Sequence, residues 1–125
     1  MNGLKHLLDT NILIGVLGRN PRVLDLVSKH QINFDRCAYS AISRMEILSF
    51  PGLTHESKLA IERLLHRMHY LPINADIETS CIAFRSTQKG KLPDAIIAAT
   101  SLVYELELIT LDKGLTNKLT HFQTP

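Results

Sequence analysis

The chain has 125 residues, of which 45% are hydrophobic and 21% are charged, and this composition excludes disordered and fibrous classes of protein. The 14 Lys and Arg residues barely outnumber the 12 Asp and Glu residues, so the net charge of +2 does not by itself indicate a nucleic-acid partner. We therefore expect a single globular domain, residues 1–125, whose function is carried by local patterns.

The same sequence limits where the protein works. The stretch from Met1 to His6 leads directly into an apolar segment and lacks the features of a secretory signal. No apolar run approaches the roughly 20 residues that a membrane-spanning helix needs. Cys37 and Cys81 lie far apart and outside any redox or zinc motif, so we expect reduced, buried thiols in a cytoplasmic protein with no membrane partner.

In the first half of the chain, short apolar runs alternate with segments of helical periodicity. The predicted strands are 6–8 and 37–40, and the predicted helices are about 12–17, 21–30 and 42–49. The break at Gly18 and the turn at Pro51 separate these segments.

The second half continues the alternation. Predicted helices cover 54–69, 75–89 and a segment that starts at Pro93, because proline suits the first position of a helix. Predicted strands are 70–73, 108–111 and a last edge strand at 121–123. The pattern predicts an α/β fold, in which helices cover both faces of a mainly parallel central sheet of four to five strands.

Four acidic residues follow these elements at informative places. Asp9 and Asp112 each come directly after a predicted strand, and ligands of open α/β sheets collect at that end of the strands. Asp94 follows Pro93 in the first turn of its helix, where the helix dipole favours the ionised form. Glu46 lies one turn into the helix after the strand 37–40. The sequence thus predicts four carboxylates at one end of the sheet.

Carboxylates gathered in this way repel one another unless a cation lies between them. Mg²⁺ favours oxygen ligands and needs only a few carboxylates, and Mn²⁺ accepts the same set. The chain contains no G-x-S-x-G elbow, no H-E-x-x-H motif and no P-loop that would indicate another chemistry. The pattern therefore favours metal-assisted hydrolysis of phosphodiester bonds.

Each carboxylate also has a purely structural interpretation. Asp9 can be the N-cap of the helix that follows it, and Asp112 can be a turn or cap residue. Asp94 can simply stabilise a helix N-terminus. Ser43 and Glu46 fit the S-x-x-E capping box, in which Glu46 would only turn back to the Ser43 amide. It is the set of four that favours a metal site.

Four stretches of the sequence resemble PIN-domain proteins, and in particular the VapC-type toxins of bacterial toxin–antitoxin pairs. These stretches are Leu7–Ile14 (LLDTNILI), Ser43–Glu46 (SRME), Lys91–Thr100 (KLPDAIIAAT) and Leu108–Asp112 (LITLD). They span nearly the whole chain in the order that the family has. The resemblance implies a PIN-like three-layer α/β/α fold.

The resemblance also implies roles for the acidic residues. Asp9, Glu46 and Asp94 match three nearly universal metal ligands, and Asp112 matches a more variable fourth. These residues would bind one or two Mg²⁺ or Mn²⁺ ions in an endoribonuclease that cleaves RNA with a metal-activated water. Three further residues would orient the carboxylates or the water, or else serve only as turn and cap residues: Thr10, Asn11 and Thr110.

Members of this family typically cleave structured RNA, form homodimers and are silenced by an antitoxin protein. Five basic residues near the acidic motifs are candidates for contacts to RNA phosphates, although for any single one a place on a solvated helix face is the simpler interpretation: Arg44, Arg85, Lys89, Lys91 and Lys113. The resemblance further implies that the antitoxin packs on apolar helices near Leu48, Phe50 and the region 53–65.

Other functions compete with this one. A haloacid-dehalogenase-like phosphatase also has an aspartate after its first strand, but it requires a second aspartate where this chain has Asn11. A PIN-like domain retained only as a binding module is a non-enzymatic alternative, against which the intact acidic set argues. A housekeeping RNA-processing nuclease differs from a toxin mainly in its biological setting.

Overall fold

Four short parallel strands form the centre of the fold in the computed structural model, which describes residues 3–124. The strands are β1 (His6–Leu8), β2 (Cys37–Ser40), β3 (His69–Leu71) and β4 (Glu107–Ile109). Their order in the sheet is β3-β2-β1-β4, and every neighbouring pair is parallel. All four carboxyl ends therefore open on the same edge of the sheet.

Seven α-helices in the described residues connect and cover these strands. They are α1 (Thr10–Leu17), α2 (Pro21–Lys29), α3 (Ala41–Leu48), α4 (His55–His66), α5 (Ala75–Thr87), α6 (Leu92–Val103) and α7 (Lys113–Gln123). A short 3-10 helix, Phe34–Arg36, precedes β2. Side-chain oxygens cap several N-termini, as the composition of the connecting loops favours.

The two central strands, β1 and β2, are buried on both faces because helices cover both faces of the sheet. On one face Leu8 and Tyr39 belong to a core that also contains buried residues of α1, α2 and α4. On the other face Leu7 and Ala38 pack with Ile97 of α6. A third apolar cluster holds α5, α6 and α7 together on that side. The result is a three-layer α/β/α arrangement.

Register brings the ends of three strands together. His6 of β1 is aligned with Cys37 of β2 and with Glu107 of β4, so the three strands begin at one level. Because β1 lies between β2 and β4, the residues that follow these strands are neighbours at the carboxyl edge. This edge carries the start of α1, the start of α3 and the start of α7.

Most of the sequence predictions agree with this structure. The α/β class with a parallel four-stranded sheet is confirmed, and the bounds of β1 and β2 are those predicted. Cys37 and Cys81 are buried free thiols, and burial raises the pKa of Cys37 to about 11. Within residues 3–124 no helix is both long and apolar enough to cross a membrane. Met1, Asn2 and Pro125, which the predicted domain includes, lie outside the described residues.

One element was predicted wrongly. The segment 121–123 is the last turn of α7 and not an edge strand. Leu115, Leu119 and Phe122 recur at helical spacing and pack on the cluster of α5 and α6. A window of three residues does not contain that periodicity, which becomes visible only from Leu115 onward.

The bounds of several other elements also moved. Strands β3 and β4 each begin one residue before the predicted start and end two residues before the predicted end. Helix α1 begins at Thr10, two residues earlier than predicted, because Asp9 caps it directly. Pro93 is the second and not the first residue of α6. Such shifts of one or two residues do not change which residues reach the carboxyl edge.

Candidate functional site

Asp9 is the most buried carboxylate at the carboxyl edge, with 6% of its surface exposed. Its backbone still belongs to the sheet, because its N–H donates to Ile109 O at 3.0 Å. Its Oδ1 accepts from the Thr10 N–H at 2.7 Å, so Asp9 is also the N-cap of α1. Capping therefore uses one carboxylate oxygen and leaves the other available for further contacts.

The second oxygen of Asp9 is held by residues that follow β4 and open α1. The Thr110 hydroxyl donates to Asp9 Oδ2 at 2.7 Å, and Asn11 Nδ2 lies 3.4 Å from the same oxygen. Asn11 also donates to Thr110 Oγ1 at 3.2 Å and accepts from the Leu111 N–H at 3.2 Å. These bonds fix the orientation of the Asp9 carboxylate and join the ends of β1 and β4.

Glu46 is held by a partner far away in sequence. Thr10 Oγ1 lies 2.6 Å from Glu46 Oε1 and 2.9 Å from Ser43 Oγ. Because the single hydroxyl proton of Thr10 goes to the carboxylate, the Ser43 hydroxyl donates to Thr10. Glu46 is exposed on α3, and this contact holds its carboxylate beside Thr10 at the start of α1.

The capping-box interpretation of Ser43 and Glu46 is wrong. The N-cap of α3 is Ser40, whose hydroxyl accepts from the Ser43 N–H at 3.2 Å. The helix thus begins three residues earlier than a box at Ser43 requires, and Glu46 falls in its second turn. Ser40 stands at the end of β2, where the chain must leave the sheet, and this position decides which serine caps the helix.

Asp94 and Asp112 occupy helix N-termini. Asp94 is half-buried in the first turn of α6. Asp112 is exposed and caps α7, since its Oδ1 accepts from the Leu115 N–H at 3.1 Å. The Asp112 N–H donates to Thr110 Oγ1 at 3.0 Å, which connects this residue to the network around Asp9. Both carboxylates thus sit on rigid helix ends and not on loops.

The four carboxylates affect one another electrostatically. Burial raises the pKa of Asp9, and the charges of Asp94 and Glu46 raise it further, against the hydrogen bonds from Thr110 and Thr10. Burial likewise raises the pKa of Asp94, followed by the charges of Asp112 and Glu46. Asp94 is thus the member whose charge interacts with all three others. We call these four residues the acidic cluster.

The acidic cluster offers the kind of ligand that a hard divalent cation prefers, because all of its potential metal-binding atoms are carboxylate oxygens. The ion pairs found in residues 3–124 involve none of its members. In the same residues no three His, Cys, Asp or Glu side chains converge closely enough to enclose an ion directly. This arrangement suits Mg²⁺, which keeps several of its waters and binds through one or two carboxylates.

The predicted basic residues are spread unevenly around the cluster. Lys91 precedes α6, and its charge lowers the pKa of Asp94 against the larger effect of burial. Lys113 is exposed at the start of α7 beside Thr110, in a surface groove that also contains Arg22 and Lys29. Arg44 lies close to Tyr39, and its charge lowers the pKa of the Tyr39 hydroxyl against the larger effect of burial.

One neighbour of the cluster, Lys118, was missed in the sequence, and the role of another, Ser43, was predicted wrongly. Ser43 is fully buried and supports Thr10, and its S-x-x-S spacing after Ser40 was the available signal. Lys118 of α7 comes close to Asp94, and its charge also lowers the Asp94 pKa. The signal for Lys118 was a lysine on the apolar side of a helix, three residues after Leu115.

A cavity of considerable size lies elsewhere. It measures about 570 Å³ and is lined by residues of α6, β4 and α7, including Glu105 and Glu107. Those residues lie towards the amino end of β4, at the opposite edge of the sheet from the cluster. Size alone therefore does not identify the site, and a long ligand that lies across a surface has no need of a deep cavity.

Comparisons with known proteins agree with this geometry. The family model described as "PIN domain" matches residues 6–118. A toxin–antitoxin complex from Klebsiella pneumoniae contains a chain that is 30% identical, with a TM-score of 0.74; the match covers 86% of this chain and 87% of that one. A search of curated proteins finds no significant match.

More distant structures share the fold. FitAcB from Neisseria gonorrhoeae is 22% identical with a TM-score of 0.72, and the match covers 92% of this chain and 93% of that one. VapBC2 from Rickettsia felis, solved with a fragment of promoter DNA, is 14% identical with a TM-score of 0.72, covering 91% and 92%. At these identities the likeness concerns the fold alone.

The raised pKa values of Asp9 and Asp94 predict how stability depends on pH. Between pH about 4 and the raised pKa values, the folded protein binds more protons than the unfolded chain, so its free energy of unfolding falls as the pH rises. Urea denaturation in EDTA from pH 4.5 to 7.5 measures this slope, and Asp94→Asn should flatten it. An equal slope in Asp94→Asn would contradict the raised pKa of Asp94, to which burial contributes most.

Proposed function

The chain belongs to the PIN domain family, and from that premise we propose that it is a Mg²⁺-dependent endoribonuclease, the toxin of a bacterial toxin–antitoxin pair. The observation that carries the proposal is the acidic cluster at the carboxyl edge of the parallel sheet. Burial and the charges of neighbouring members raise the pKa of Asp9 and Asp94, and no member has a basic partner in an ion pair within residues 3–124. A site of this kind binds a divalent cation, and Mn²⁺ can replace Mg²⁺.

The proposed reaction is hydrolysis of an RNA phosphodiester bond. A bound divalent cation supplies an activated water and neutralises charge on the phosphate and the leaving oxygen. Asp9 and Asp94 would hold the cation, with Glu46 and Asp112 as further ligands, directly or through water. Thr110 and Thr10 keep the carboxylates of Asp9 and Glu46 in one orientation, so little reorganisation is needed when the cation binds.

The proposal of a toxin draws on the relative from Klebsiella pneumoniae. That chain covers nearly the same length, is 30% identical, and was solved in a toxin–antitoxin complex. A housekeeping RNA-processing nuclease with the same cluster is the alternative, and so is an inactive binding module. A short open reading frame for a DNA-binding protein directly upstream would favour the toxin.

An apolar groove suits an antitoxin segment. It measures about 280 Å³ and lies between α1, the loop after α3, and α4. Phe50, which the sequence predicted to contact the antitoxin, is 57% exposed, and Ile14 of α1 is 43% exposed. Leu53 and Ile61 line the floor of the groove, whereas Leu48 packs against the core. The homodimer implied by the family resemblance stays a prediction, which light scattering on the purified protein would check.

The catalytic proposal is tested by replacing Asp94. We expect Asp94→Asn to reduce cleavage of bulk transfer or ribosomal RNA with Mg²⁺ or Mn²⁺ by on the order of 100-fold or more, because the amide keeps the shape but loses the charge that binds the cation. Asp76→Asn is the matched control, since Asp76 is also an aspartate in the first turn of a helix and is exposed on α5.

Two results would contradict the catalytic proposal. The first is a wild-type protein that cleaves no RNA with either metal although it is folded. The second is an Asp94→Asn variant as active as the Asp76→Asn control. A wild-type protein that binds Mn²⁺ but cleaves no RNA would favour the alternative that the domain is an inactive binding module.

The antitoxin groove is tested by filling it. Ala60 is exposed on α4 and lines the groove, so Ala60→Arg should place a bulky charge where an apolar segment would bind. We expect cells that express Ala60→Arg together with the upstream gene product to stop growing. Ala83→Arg, the same change on the exposed face of α5, should be neutralised like the wild type. Equal neutralisation of both variants would rule out this groove.

A further inference from the structure

Lys118 differs from the other lysines of residues 3–124 in its burial. It is half-buried, whereas the others are exposed. It lies on the side of α7 that carries Leu115 and Leu119, which pack against α5 and α6. A lysine at such a place lays its methylene stem along apolar surface and extends only its ammonium group beyond it.

The ammonium of Lys118 reaches the loop between α5 and α6. A Cβ atom added at Gly90 would lie 3.2 Å from Lys118 Nζ, so a side chain at Gly90 would crowd the ammonium group where it now lies. Gly90, Lys118 and Asp94 line the same small cavity. The positive charge is therefore held beside the first turn of α6, where it partly offsets the effect of burial on the Asp94 pKa.

This charge is not used in an ion pair. Within residues 3–124, the carboxylates closer than 4.0 Å to a basic group pair with His6, His30 and Arg67, and none pairs with Lys118. In addition, no side chain caps the N-terminus of α6, whose positive end lies at the same place. Lys118 thus adds an unpaired ammonium group to the N-terminus of α6, where a helix end favours an anion. The acidic cluster beside it repels anions.

We propose that Lys118 binds a phosphate of the RNA backbone next to the bond that is cleaved, and so positions the RNA on Asp94. The proposal rests on the proposed ribonuclease function. RNA carries a negative charge at every nucleotide, and the four carboxylates oppose its approach unless basic groups flank them. Lys91 flanks Asp94 from the loop that precedes α6, and Lys118 flanks it from α7. The two lysines thus lie beside Asp94 on the side of the cluster where we expect the RNA to bind.

A purely structural role makes a different prediction. If Lys118 only balanced the charge of Asp94, its removal would lower the stability of the metal-free protein and leave the affinity for RNA unchanged. If Lys118 binds a phosphate, its removal raises KM, while kcat changes little because the carboxylates stay in place. The two roles are therefore separated by the effect on KM and by the salt dependence of RNA binding.

The experiment compares Lys118→Gln, Lys118→Arg and the control Lys5→Gln. Lys5 is exposed and precedes β1, at the amino edge of the sheet, so its removal changes the net charge equally but far from the cluster. For cleavage of bulk transfer RNA with Mg²⁺, we expect Lys118→Gln to raise KM by about tenfold with kcat within about twofold. Lys118→Arg should recover most of the affinity, and Lys5→Gln should behave like the wild type.

Binding is measured separately from cleavage in the Asp94→Asn background, by fluorescence anisotropy of labelled transfer RNA at several salt concentrations. Loss of one phosphate contact should reduce the slope of log Kd against log salt by about 0.7 to 0.9 unit in Lys118→Gln, and not in Lys5→Gln. An unchanged KM and slope in Lys118→Gln would overturn the proposal, as would equal losses in Lys118→Gln and Lys118→Arg.

The outcomes also distinguish this proposal from the proposed function. If the wild type cleaves RNA and Lys118→Gln does so with the same KM, Lys118 is not a phosphate ligand, although the ribonuclease stands. If the wild type cleaves no RNA, the ribonuclease fails, and the anisotropy slopes still decide whether Lys118 contacts RNA. If none of the variants binds RNA, both proposals are wrong.

Discussion

The cost of keeping several carboxylates ionised at one place is the constraint on which the carboxyl edge of this protein depends. Burial contributes most to the cost of ionising Asp9 and Asp94, and the charge of Asp94 also interacts with those of Asp9, Glu46 and Asp112. A chain selected only for stability would separate these groups or pair them with basic residues. Here Asp9, Asp94 and Asp112 stand at strand or helix ends and Glu46 stands in the second turn of α3, and the proposed cation would offset their charge.

Hydroxyl groups, and not basic groups, hold the cluster in shape. Thr110 donates to Asp9, and Thr10 donates to Glu46 with support from Ser43. Hydroxyls orient a carboxylate without neutralising it, so the negative charge remains available to a metal ion. The positive charges lie beside the cluster, at Lys91 and Lys118 near Asp94, and the proposed role of Lys118 is to bind a phosphate there. Orientation and neutralisation are thus performed by different residues.

The sequence was sufficient for features with a local cause. Strand β1 and strand β2 were predicted with their bounds because each is an apolar run that stops at a polar cap residue, Asp9 or Ser40. The first-turn position of Asp94 followed from Pro93 in the same way. Placing Asp9 and Asp112 at one edge needed only the assumption of a parallel sheet.

Features that depend on tertiary packing could not be predicted from the sequence. The contact between Thr10 and Glu46 joins residues 36 positions apart, and a local motif at Ser43 offered a simpler interpretation. Lys118 lies outside every recognisable motif and reaches Asp94 only because Leu115 and Leu119 dock α7 against α5 and α6. Non-local contacts of this kind leave little trace in a single sequence.

A calorimetric titration of the metal-free protein with Mn²⁺ at neutral pH tests most directly whether the acidic cluster binds a metal ion. We expect saturable binding in the wild type and an affinity lower by about 10- to 100-fold in Asp94→Asn, which removes the charge that interacts with the other three carboxylates. A folded wild-type protein that binds no Mn²⁺, or an Asp94→Asn variant that binds it equally well, would contradict the claim that the acidic cluster is a metal site.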